Sequence, residues 1–345
     1  MELIQYTNKM KKYFYLILLL STLISCSKDS DETYEPTNYQ HYFLTNEATI
    51  NANQIVGGTG KLETRALTIA NNKLYVCNGD VLEIFDASTL AYLSSLKNYT
   101  KGTTTIPFTK LSSISVDNGR IYLGSIDSRI FVLDEKSLSG INTIGNGQWW
   151  QTFVHVFGLK AKDGLLFVKE KNTSIKVFQT AQITETSNWN LAPIAKLNTL
   201  KGSDEIYSMD VSNGNLIVAG RNANGYLHYN LTDIVKNGTN SLTVPILPNT
   251  KVITDCNPTS VAFSNDWAIT TENIKGNTHI RLYPKGAFLD QSYTPLLSNM
   301  DVMGQNPFTG IASCALLDQR LFVPDNLNQT IRILKINKIT IAEQK

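Results

Sequence analysis

The chain has 345 residues, and its 31 Lys and Arg set against 29 Asp and Glu give a formal charge of +2. No block of basic residues concentrates that charge, so the sequence offers no electrostatic footprint for nucleic acid. Its four cysteines, Cys26, Cys77, Cys256 and Cys314, are widely scattered, which excludes a dense disulfide framework and the paired spacing of a zinc site.

Lys11 and Lys12 precede an apolar run from Tyr13 to Ile24. That run is short of the roughly 20 residues a membrane span needs, and it suits the hydrophobic region of a secretory signal. Leu23-Ile24-Ser25-Cys26 then sets Leu three residues before a cysteine and a small residue directly before it. This stretch resembles the lipobox of bacterial lipoproteins. The resemblance implies that residues 1–25 are a signal peptide, cut off before Cys26, and that Cys26 carries lipid. Two or three acyl chains, at about 0.8 kcal/mol per buried CH₂, make a stable membrane anchor. Losing Lys9, Lys11, Lys12 and Glu2 leaves 28 basic and 28 acidic residues, a neutral mature chain.

Residues 26–38 are polar, acidic and unable to bury a core, so they read as a disordered tether. Within them, Ser27-Lys28-Asp29-Ser30-Asp31-Glu32 resembles the acidic export signal of surface lipoproteins from Bacteroidetes-type bacteria. The implication is a lipid-anchored protein of the outer membrane, displayed at the cell surface.

Residues 39–345 read as one propeller domain, in which one unit recurs from Leu67 onward. An apolar strand meets a tight turn such as Asp117-Asn118-Gly119 or Ser212-Asn213-Gly214, whose residues tolerate the positive φ of two-residue hairpins. A second strand starts at Leu74, Ile121, Leu166, Leu216, Ala268 and Leu321, at spacings of 47, 45, 50, 52 and 53 residues. A third strand ends on Phe85, Leu133, Phe178, Tyr229, Tyr283 or Leu334, and a weaker fourth follows. Four antiparallel strands at this period predict β-propeller blades.

The expected fold is therefore all-β, a six-bladed β-propeller with blades beginning near 65, 110, 155, 205, 257 and 310; seven blades, one degenerate, is the alternative count. Residues 39 to 60 are expected to add an edge strand that closes the ring, and Leu231 to Asn237 a short helical turn. From about residue 60 onward the chain resembles the broad class of YVTN- and NHL-like propellers, without the Trp-Asp or Gly-His marks of a WD-type repeat.

The first strand of each unit should be innermost. Aligning the units gives a column just before it: Thr64, Lys110, His155, Glu205, Asn257 and Gly310. Lys110, His155, Glu205 and Asn257 are polar groups that could converge on one ligand at the channel mouth. Loops between the second and third strands, including Arg221, open on the same face. Gly145 to Phe153 adds Trp149 and Trp150, of which one at most faces a ligand if the segment is strand; a Trp face there could stack on a sugar ring or a corrin. Tyr99 and Trp189, also on connections, are weaker candidates, whereas Trp267 and His228 read as packing residues.

Residues 57 to 62 lack the spacing and the hydroxyl of a phosphate loop, and no metalloprotease helix or nucleophile elbow is present. No metal or cofactor is expected. The preferred reading is a non-catalytic surface lipoprotein that binds a small molecule or glycan, or partners an outer-membrane transporter. The lipoprotein resemblance implies an accessory role in nutrient uptake, with glycans, cobalamin or iron carriers as cargo. Two alternatives stand beside it: a hydrolase or lactonase using His155 and Glu205 at the channel mouth, and a protein-interaction scaffold.

Overall fold

The computed structural model describes residues 39–55, 60–148, 153, 155–170, 174–199, 206–220, 225–238, 242, 246–253, 257–274, 277–290 and 313–341. They form six small antiparallel sheets, the blades of a six-bladed β-propeller carried by the compact unit His41–Ile339. The first segment, β1 (Tyr39–Asn51), belongs to the last blade. Blade 1 holds β2 (Thr64–Ala70), β3 (Lys73–Asn78), β4 (Val81–Asp86) and β5 (Tyr92–Leu96). A hairpin of β6 (Asn98–Lys101) and β7 (Thr104–Pro107) leads to blade 2, with β8 (Leu111–Asp117), β9 (Arg120–Ser125), β10 (Arg129–Asp134) and β11 (Gly140–Ile144).

Blade 3 follows as β12 (Val156–Lys162), β13 (Leu165–Glu170), β14 (Ser174–Gln179) and β15 (Ala195–Asn198), and blade 4 as β16 (Ile206–Ser212), β17 (Asn215–Gly220), β18 (Gly225–Asn230) and β19 (Thr250–Ile253). The described part of blade 5 has three strands, β20 (Asn257–Phe263), β21 (Trp267–Ile274) and β22 (Asn277–Pro284). Blade 6 has β23 (Ala315–Leu317), β24 (Arg320–Asp325) and β25 (Thr330–Ile341), with β1 as its outermost strand, in the order β1-β25-β24-β23. The N-terminal strand thus closes the ring by supplying the fourth, outermost strand of the last blade.

The start of each second strand lies opposite the residue that ends the third: Leu74 pairs with Phe85, Ile121 with Leu133, Leu166 with Phe178, Leu216 with Tyr229, Ala268 with Tyr283 and Leu321 with Leu334. All twelve are buried. The first hairpin turns use residues that accept φ > 0, as at Asn118 (48°) with Gly119 (71°) and Asn213 (48°) with Gly214 (73°), the geometry whose twist matches the flanking strands.

One backbone hydrogen bond then recurs in every blade. A residue directly after the third strand, or within the long β25 of blade 6, donates its N–H to the carbonyl of the second turn residue: Ala87 to Asn72, Glu135 to Gly119, Thr180 to Gly164, Leu231 to Gly214, Lys285 to Asp266 and Ile336 to Gln319, at 2.7–3.0 Å. In blade 4 the chain continues into a short helix, α1 (Leu231–Asn237), whose Thr232 N–H is capped by the Asn230 side chain.

The near-continuous apolar runs of the second strands have a direct cause. Successive residues point to opposite faces of a sheet, and both faces of a blade are covered by neighbours. In β3, Leu74 and Val76 pack into the seam with blade 6, whereas Tyr75 and Cys77 pack into the seam with blade 2. Each of the six seams holds one such cluster, and each fully buried large side chain contributes about 1.5–3 kcal/mol.

Polar clasps cross the seams as well. Arg120 Nη1 donates to the carbonyls of Thr180 and Ile183 in the next blade, and Arg320 does the same to Ala87 and Ser88 across the ring closure. Cys77 and Cys314 are buried free thiols, while Cys256 lies outside the described residues.

Candidate functional site

The innermost strands β2, β8, β12, β16, β20 and β23 stand at the free edge of their sheets, and each packs against the inner strand of the next blade, back to β2. They enclose an axial channel with two open ends. The upper end, on the side of the turns between second and third strands, is a cavity of about 550 Å³; the lower end, rimmed by the first hairpin turns, is a wider one of about 850 Å³.

Between the two, shared by both, sit Lys160 and Asp210. They hold the same register position in blades 3 and 4, opposite Phe167 and Ile217. Lys160 Nζ lies 2.5 Å from Asp210 Oδ1. The same carboxylate accepts from the Val211 N–H at 2.7 Å and, across the seam, from the Phe263 N–H at 2.9 Å. Ser115, the equivalent residue of blade 2, likewise accepts from the Ala161 N–H of blade 3 at 2.8 Å. Asp210 is therefore a strap between blades as well as half of an ion pair. Its two oxygens thus tie together donors from blades 3, 4 and 5.

A second pattern governs the upper mouth. In blades 1 to 5 the inner strand skips one residue of register at the same place: between Thr64 and Ala66, Leu111 and Ser113, Val156 and Gly158, Ile206 and Ser208, and Pro258 and Ser260. Each skip is a β-bulge, which bends the strand and re-aims the extra side chain. The extra residues are Arg65, Ser112, Phe157, Tyr207 and Thr259. Arg65, Ser112 and Phe157, from three consecutive blades, line the upper cavity. Arg65 is exposed, and Phe157 keeps 40% of its surface open. Ser112 Oγ donates across the seam to the Val156 carbonyl at 2.5 Å. Thr259 instead turns inward and bonds Thr271 at 2.8 Å.

The predicted column sits one step above these bulges. Lys110 and His155 occupy equivalent places, both at positive φ (47° and 55°). Each backbone N–H is held by the turn of the preceding blade: Lys110 by Asp80 Oδ1 at 2.5 Å, His155 by Ser128 Oγ at 3.1 Å. The His155 ring is also bound through Nδ1 to the Ile126 carbonyl and stands 6.1 Å from the Phe157 ring. Neither Lys110 nor His155 lines the cavity. The register also shifts the column in blade 1: Thr64 pairs with Asn78 as Leu111 pairs with Ser125, so the counterpart of Lys110 is Glu63.

Asn257 begins β20 opposite Asn273. Trp149, Trp150, Glu205, Arg221 and the lipidation candidate Cys26 lie outside the described residues. Tyr99 belongs to the β6–β7 hairpin and packs on Phe131, with ring centroids 5.6 Å apart. Trp267 meets Tyr42 of the closing strand edge-on at 5.2 Å. His228 is buried, and that burial lowers its pKa from 6.5 to about 4.

Cys314 also lines the upper cavity, but burial pushes its thiol up to about 12, so at neutral pH it is not a thiolate nucleophile. At the lower mouth, burial raises Asp117 against the pull of Lys162 and Lys160. The sequence reading passed over Arg65, Phe157, Lys160 and Asp210. A signal existed for the last two, because charges at one alignment position of two apolar inner strands are costly unless paired.

No protein-family model and no curated protein sequence matches this chain. Among solved structures it is similar to a chain in the crystal structure of a mitotic checkpoint complex, at a TM-score of 0.52 and 12% sequence identity, with 90% of this chain and 97% of that chain covered. At that identity the likeness establishes the propeller fold alone.

Proposed function

We propose that this chain is a non-catalytic binding propeller, anchored by lipid on Cys26 at the outer membrane and facing outward, which captures a small molecule or glycan at the upper mouth and passes it to a membrane transporter. The observation that carries the binding part is the upper cavity itself. Its volume of about 550 Å³ falls in the range of small-ligand sites, and its mix of apolar walls with a few polar groups is their usual chemistry. The lipobox and the acidic segment after it support the location.

The test is a thermal-shift screen of the full chain in non-ionic detergent against glycans, corrinoids and siderophores, since a ligand that binds only the native state stabilises it by mass action. A hit weakened by Phe157→Ala supports capture at the upper mouth, and a panel without hits refutes it. Incorporation of labelled palmitate that disappears in Cys26→Ser tests the anchor.

A further inference from the structure

We infer that the upper mouth selects an amphipathic monoanion, whose carboxylate is held by Arg65 while an adjoining apolar or aromatic body lies against Phe157. This deepens the capture reading and rests on it. Among the described residues, the charged side chains that line the cavity are Arg65, Lys160 and Asp210. Lys160 and Asp210 neutralise each other at 2.5 Å, so Arg65 is the uncompensated charge among the described residues of the wall.

That guanidinium has no hydrogen-bond or ion-pair partner among the described residues, and it stands exposed beside the cavity. Five donors in a fixed fork suit a carboxylate held by two parallel bonds. Phe157 is its complement. A phenyl ring left 40% open at a channel mouth forgoes apolar burial that a ligand covering it would restore.

Both side chains reach the mouth by the same device. A bulge at one register position places Arg65 in blade 1, Ser112 in blade 2 and Phe157 in blade 3, so cation, hydroxyl and ring follow one another along a single arc. Ser112 is already engaged with Val156, and discrimination falls to the two ends. His155 backs the ring, its own position fixed by the bonds to Ser128 and Ile126.

The experiment compares phenylacetate with its uncharged twin phenylacetamide by isothermal titration calorimetry on the full chain in non-ionic detergent. Phenylacetate is expected to bind about tenfold more tightly, with the ratio shrinking at high salt. Arg65→Gln should remove the difference and leave the melting temperature unchanged, because the side chain is exposed and unpaired. Phe157→Ala should weaken both probes by similar factors. Equal affinity for the two probes, or a ratio that survives Arg65→Gln, overturns the inference. If neither probe binds while a glycan or corrinoid does, the anion site is refuted and the capture reading stands. If nothing binds, both fall.

Discussion

Removing the Asp210 carboxylate should harm the fold far more than removing the lysine it pairs with. In Asp210→Ala the Phe263 N–H loses its acceptor across the seam at 2.9 Å, the Val211 N–H loses one at 2.7 Å, and Lys160 is left charged without its counter-ion at 2.5 Å. Deleting one partner of a buried pair costs about 3–5 kcal/mol. Lys160 keeps a quarter of its side chain in contact with water, so the lower end, about 3 kcal/mol, is the better figure. In Lys160→Met the carboxylate keeps both backbone donors, and the loss should be about 1 kcal/mol. Urea unfolding of the full chain measures both as shifts in midpoint at constant slope. The double variant should lose less than the two single losses combined, because Asp210→Ala no longer strands a cation. Equal losses from the two single variants, or a larger one from Lys160→Met, would show that the ion pair and not the inter-blade strap holds this wall.

The closing strand gives a second test. Leu44 in β1 is 1% exposed and packs in the seam of blades 5 and 6, whereas Leu93 in β5 is 49% exposed although both strands are outermost. Leu44→Ala should cost about 2–5 kcal/mol and Leu93→Ala less than about 0.5 kcal/mol, again read from urea midpoints. His228 predicts a pH response. Burial lowers its pKa from 6.5 to about 4, so between those values the unfolded chain takes up a proton that the folded chain refuses. Stability contributed by the neutral ring is present above pH 6.5 and is lost as pH falls, by about 3 kcal/mol in all. His228→Gln should flatten that part of the pH profile; an unchanged profile would contradict the assignment.

The ring of blades was legible because each unit repeats three local signals that physics couples to one structure: a φ-positive turn, an apolar second strand and a bulky end to the third. The pairing of Leu166 with Phe178 and of Leu216 with Tyr229 follows from those signals alone. The closing role of residues 39 to 51 was legible from their place ahead of the first unit, in a stretch too short for a blade of its own. The β6–β7 hairpin was not, because Asn98 to Pro107 reads as a polar linker and its pairing depends on packing against blade 2. The bulges were hidden for a sharper reason. A residue skipped in the ladder breaks the two-residue alternation by one step, so a column drawn from spacing put Thr64 level with Lys110 and passed over Arg65 and Phe157. Lys160 and Asp210 were visible as charges, but their partnership exists only once blades 3 and 4 stand side by side.

The bond that ties each third strand back to its first turn runs from amide to carbonyl in all six units. It asks nothing of the side chains beyond a turn that can be made, and the six units make it with Asn-Asn, Asn-Gly, Asp-Gly, Asn-Asp and Asp-Gln alike. A scaffold secured in this way lets evolution rewrite nearly every exterior letter while the frame endures.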